Sequence, residues 1–195
     1  MNPTDDRLVR LFVALLLEAS VIEELQVLQR LLRQHLPEGL RWTRADQLHL
    51  TLHFLGEVAA EEVAETCAWL RQAKAGHAEF RLRLGAVGRF PERGRPRVLW
   101  VGLEGEIERL IRLQNDVARV MERFGARRQG DRFQPHLTVA RIRPDVSVPG
   151  NFGDLLGECP APRPLSWVVR HVHLMRSELL PTGARYTVLD SVPLV

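Results

Sequence analysis

The chain has 195 residues, of which 45% are hydrophobic and 26% charged, an ordinary globular mix with length for one domain or two tightly packed lobes. Lys74 is its only lysine, so the formal charge of +3 rests on arginine, which a GC-rich genome favours and which also suits phosphate or nucleic-acid contact. Two cysteines without metal-like spacing, and no stretch long enough to cross a bilayer, exclude a disulfide scaffold and a membrane span and point to a reducing, cytoplasmic setting.

The apolar run at 8–17 predicts a buried strand; it is too short, and lacks the cleavage site, for a signal peptide. Val21, Leu25, Leu28 and Leu32 then recur at helical spacing, with Ser20 and Glu23 placed as a capping box and Pro37 and Gly39 as the stop. A strand at 48–55 ends at Gly56, and a second helix covers about 59–73. An alternating strand at 79–90 leads into the basic loop "PERGRPR". The pattern then restarts: strand "VLWVGL" at 98–103, an amphipathic helix from 107 to Gly125, a loop, and strand "HLTVARI" at 136–142. A Pro/Gly-rich connection spans about 144–164. Strands at 166–177 and 185–194 close the chain.

Leu11 to His49 is 49 − 11 = 38 positions, and Val98 to His136 is 136 − 98 = 38. Strand, helix, loop and His-x-Thr strand therefore recur, which predicts a duplicated unit in a single domain over 1–195. The expected architecture is α+β: two pseudo-symmetric lobes, each an antiparallel sheet with flanking helices, with a cleft between them.

Side chains alternate along a strand. In "HLTLHF", His49, Thr51 and His53 share one face and Leu50, Leu52 and Phe54 the other. In "HLTVAR", His136 and Thr138 share a face. Brought together, the two copies place two imidazoles and two hydroxyls around one tetrahedral group. Imidazoles with ordinary pKa near 6.5 can supply a general acid and a general base together near neutral pH. That suits in-line displacement at phosphorus without a metal, with the threonines donating to non-bridging oxygens. His49, His53 and His136 could instead be metal ligands, but no acidic residue accompanies them and the threonines would have no role. No Gly-rich nucleotide loop or lysine nucleophile supports ATP-dependent ligation. The loop residue Arg132 and the aromatic-bearing "GRFPERGRPR" carry charge suited to RNA. His171 and His173 share a late strand face that alternation alone explains. His35 and His77 read as surface residues.

These phrases resemble the two-histidine phosphoesterase superfamily, and within it the RNA 2′,3′-cyclic phosphodiesterases, also called 2′-5′ RNA ligases. The matching stretches are "RLFVAL", "LHLTLHFLGEV", "VLWVGL", "FQPHLTVARI" and "RYTVLDSVPL". The resemblance implies opening of RNA 2′,3′-cyclic phosphate ends, such as those of tRNA halves, to 2′-phosphates; no cofactor is expected, and a monomer is expected because each lobe finds its partner within the chain. It also implies reverse joining through a 2′-5′ linkage. It makes His49 the proton donor, His136 the proton acceptor, and Thr51 and Thr138 the phosphate contacts; pseudo-symmetry alone leaves acid and base unassigned. Arg141 resembles a family substrate contact, although strand parity turns it away from His136 unless a bulge intervenes. Phe12 and Tyr186 stand where the family carries aromatics, and Phe12 could stack on a base. The family usually has a non-ionisable residue in place of His53. A non-catalytic RNA-binding protein, or a phosphodiesterase for a small cyclic nucleotide, are the alternative readings.

Overall fold

The computed structural model describes residues 8–122, 133–181 and 183–195. In order, its elements are β1 (Leu8–Leu16), α1 (Ala19–His35), β2 (Arg41–Trp42), β3 (His49–Ala59), α2 (Val63–Ala73), β4 (Phe80–Phe90), β5 (Val98–Gly105), α3 (Ile107–Met121), β6 (His136–Arg141), α4 (Phe152–Glu158), β7 (Ser166–Val169), β8 (His171–Leu180) and β9 (Gly183–Pro193). The strands form two sheets of order β3-β1-β8-β9 and β2-β6-β5-β4-β7, and every described pairing is antiparallel. The fold is therefore α+β with two lobes. In each sheet the His-x-Thr strand pairs with the strand that opens its unit: β3 with β1, and β6 with β5.

The lobes do not follow the chain in simple succession. β2 and β4, from the first half, lie in the second sheet, while β8 and β9 return at the end to complete the first. The restart near 98 is thus not a lobe boundary. Register also corrects the repeat by one residue. Leu16 stands opposite His49 and Gly102 opposite His136, so counting back four residues pairs Phe12, not Leu11, with Val98. The structural spacings to histidine are 49 − 12 = 37 and 136 − 98 = 38.

Four local expectations are also corrected. Ser20 does not cap α1: the helix follows extended Glu18, whose carbonyl accepts from Val21 and Ile22 while its carboxylate pairs with Arg170 at 3.0 Å. β3 runs through Gly56 to Ala59, because Gly56 supplies a positive φ of 76° at a register shift instead of ending the strand. The single strand expected at 166–177 is two, β7 and β8, which break before His171 and join different sheets. The connection at 144–164 contains α4, which buries Phe152 and Leu156.

One continuous core joins the two lobes. Leu11, Val13 and Leu15 of β1 turn one side of that strand into it, with Val21, Leu25, Leu28 and Leu32 from α1. Leu110, Leu113, Val117 and Met121 do the same for α3. Helical spacing gathers these aliphatic side chains into one stripe, and burying a full side chain contributes about 1.5–3 kcal/mol. Cys67 and Cys159 are both free. No described helix is long and apolar enough to cross a membrane.

Candidate active site

Each motif strand carries a β-bulge at the fourth residue of its motif. On β3, Thr51 pairs with Ala14 and His53 with Val13, so Leu52 is the extra residue. On β6, Thr138 pairs with Trp100 and Ala140 with Leu99, so Val139 is extra. Before the bulge, alternation puts His49 and Thr51, and His136 and Thr138, on the cleft side. After it, parity is reset. Arg141 therefore shares the face of His136, which removes the objection from regular alternation. The same reset turns Phe54 to the cleft and His53 away from it. His53 is only 6% exposed and borders the cavity as a buried wall beside Val13, not as a presented side chain. His49 and His53, weighed with His136 as alternative metal ligands, do not share a strand face. Among the described residues, no group of three potential metal ligands is gathered anywhere.

The cleft between the sheets has a volume of about 1180 Å³ and is lined by His49, Thr51 and Phe54 from one side and His136, Thr138 and Arg141 from the other. The two histidines are held alike. His49 Nδ1 donates to the carbonyl of Gln47 at 2.7 Å, and His136 Nδ1 donates to that of Gln134 at 2.8 Å. A carbonyl only accepts, so each Nδ1 keeps its proton and each Nε2 is left for chemistry. His49 Nε2 lies 3.0 Å from Thr51 Oγ1.

Aromatic rings fix both imidazoles laterally. Phe12 and Tyr186 pack on His49 with centroids at 5.0 and 5.3 Å, and Phe90 and Trp100 flank His136 at 5.0 and 6.4 Å. Phe12 is only 3% exposed, so it is a buried wall behind His49 and offers no open face for a base. Phe54, at 62% exposed, does present a ring. Burial pushes the pKa of both histidines below the ordinary value; each carbonyl bond opposes this, and the Arg141 guanidinium reinforces it.

Two buried glutamines, unremarked in the sequence reading, hold the bulges. Gln29 of α1 donates at 2.9 Å to the carbonyl of Val139 and at 2.9 Å to that of Thr43. Gln114 of α3 donates at 3.3 Å to the carbonyl of Leu52. Each bulge carbonyl is thus satisfied by the helix of the opposite unit. The sequence does carry the signal: "LQVLQRLL" and "LIRLQNDV" both set a glutamine on an otherwise aliphatic stripe.

His171 and His173 share one side of β8, with Ala14 opposite His173, and neither lines the cleft. Burial, with His171 adding to it, pushes His173 down to about 4, so it is neutral at physiological pH. His35 is exposed, but His77 is half-buried against Asp116 at 2.8 Å, contrary to the surface reading. Arg132 lies outside the described residues.

Gly88 of β4 has a packing role. A Cβ there would lie 2.3 Å from the Trp100 ring, which lies over that backbone. Gly88→Ala is expected to cost about 1–3 kcal/mol by overpacking. Because the displaced ring flanks His136, turnover should fall as well. Denaturant midpoints and steady-state rates measure the two effects.

Comparison with known proteins identifies the family. The family described as LigT-like phosphoesterase matches at residues 15–100 and again at 101–186. The RNA 2′,3′-cyclic phosphodiesterase of Thermus thermophilus is 38% identical over 192 residues, covering 95% of this chain and 90% of its own. That of Archaeoglobus fulgidus is 34% identical over 182 residues, covering 91% and 96%. The crystal structure of E. coli LigT complexed with 3′-AMP matches with a TM-score of 0.76 at 29% identity, covering 96% of this chain and 99% of that one. Since the family match recurs around each motif strand, the chain belongs to the LigT-like phosphoesterases.

Proposed function

We propose that this protein opens the 2′,3′-cyclic phosphate at the end of an RNA and leaves a 2′-phosphate, as a monomer in the cytoplasm and without a metal. The observation that carries the reading is the pair of matched imidazoles, each with Nδ1–H fixed on a carbonyl and Nε2 available to the cleft. The names borne by the relatives point to the same substrate.

The site residues then have definite tasks. His136 Nε2 takes a proton from water as the water oxygen bonds to phosphorus. The bond from phosphorus to the 3′-oxygen breaks, and His49 Nε2 gives its proton to that oxygen. The assignment of acid to His49 follows the family; two imidazoles so alike in setting could serve in either order. Thr51 and Thr138 hydroxyls and the Arg141 guanidinium hold the non-bridging oxygens, where charge is greatest. In the free enzyme burial, and after it Arg141, lowers both histidine pKa values; a bound phosphate anion opposes that shift and favours protonated His49. With a 5′-hydroxyl as the partner and the steps reversed, the site would join ends through a 2′-5′ linkage.

The test is incubation with EDTA and a short RNA ending in a 2′,3′-cyclic phosphate, followed by identification of the product. A 2′-phosphate is expected. A 3′-phosphate would overturn the leaving-group assignment. Tight RNA binding without turnover would overturn the enzymatic reading in favour of a binding protein.

A further inference from the structure

Most arginines with a clear partner on this protein's surface face carboxylates, as in Arg44–Asp46, Arg143–Asp145 and Arg170–Glu18. The cleft is different. Arg10, Arg41 and Arg141 line it, and no aspartate or glutamate does so among the described residues. Arg41 and Arg141 stand directly opposite each other in the β2–β6 ladder. Like charges so placed repel and weaken a ladder. Neither guanidinium makes an ion pair or hydrogen bond with a described residue. Arg10 differs, because Glu57 stands opposite it in register.

Paired residues in an antiparallel ladder project to the same side. Arg41 therefore shares the cleft side with Arg141, one strand farther from His136. Its reach is long: a Cβ at Gly183 would lie 3.0 Å from Arg41 Nη2, so the side chain spans from β2 to the start of β9 in the other sheet. This places a cation at one end of the cleft, beyond the groups around the reacting phosphate. The cyclic phosphate carries a single negative charge, which Arg141 already matches. An RNA end with its 3′ side closed in a ring can extend only in the 5′ direction, where the next anion is a phosphodiester one nucleotide away.

We propose that Arg41 forms a second phosphate subsite, for the phosphodiester on the 5′ side of the terminal nucleotide, and so sets a preference for oligonucleotide ends over nucleoside cyclic phosphates. The inference rests on the proposed cyclic phosphodiesterase reading. It explains why two adjacent cations stand without a counter-ion among the described residues: the substrate supplies the second anion.

The test compares kcat/KM for adenosine 2′,3′-cyclic phosphate with that for adenylyl-adenosine 2′,3′-cyclic phosphate, which adds one internucleotide phosphate. Wild type should favour the dinucleotide. Arg41→Gln should reduce that preference roughly tenfold, mainly through KM, the usual scale for losing a charge-assisted hydrogen bond. It should also make the salt dependence for the dinucleotide shallower by about 0.7 in log–log slope. Arg41→Lys should retain most of the preference. Arg41 is exposed on a strand of two residues, and an unchanged melting temperature would exclude misfolding. Equal losses on both substrates, or a preference and salt slope that ignore Arg41→Gln, would overturn the subsite. A wild-type protein that turns over neither substrate would instead overturn the proposed activity, a result distinct from either.

Discussion

His136→Ala should lower turnover of a cyclic-phosphate RNA end by roughly 10²–10⁴-fold, and His49→Ala should do the same, with the fold retained. The expectation rests on the matched tautomers: each ring has one nitrogen occupied by a carbonyl and the other facing the cleft. The pair works as a unit, so the double variant should be much less impaired than the product of the two single losses. His49 packs against Phe12 and Tyr186, and its truncation removes some of that contact. Thermal melts must therefore accompany single-turnover assays. Near-wild-type activity in either well-folded variant would remove that histidine from the chemistry.

Arg141→Gln should cost roughly 10²-fold in kcat/KM, the scale seen when one donor to a developing anion is lost. It should also move the pH profile, which simple loss of binding would not. Arg141 disfavours the protonated form of both His49 and His136. Removing its charge raises both pKa values, so the bell in kcat/KM should shift to higher pH. In wild type that bell should centre below 6.5, the ordinary imidazole value, because burial and Arg141 both act downward in the free enzyme. The maximum in kcat should lie higher, since bound phosphate counters Arg141. A profile unmoved by Arg141→Gln would place that side chain outside the electrostatic reach of the pair.

The His-x-Thr strands were legible because period-two alternation fixes which residues share a face, up to the first irregularity. Leu52 and Val139 are that irregularity, and a bulge depends on register with a partner strand. A single strand's pattern does not contain it. Hence Arg141 could be placed only conditionally, His53 was turned to the wrong side, and Phe54 was passed over. Gln47 and Gln134 contribute their backbone carbonyls, so their side-chain identity announces nothing. Helices α1 and α3 were readable from their aliphatic spacing, whereas the seven-residue α4 was too short to show one. The membership of β2, β4, β8 and β9 in the sheets was not, because tertiary pairing decides it.

The glutamine exchange has a consequence for the order in which the protein can be completed. Gln29 must wait for Val139, 110 residues later, and Leu52 must wait 62 residues for Gln114. β1 keeps one edge open until β8, far later in the sequence, is made. Contacts this distant in sequence form slowly and late. A segment that holds β3 alone therefore carries His49 without its counterpart on β6. The two motif histidines are held in their final setting only once both sheets and both glutamine contacts have formed.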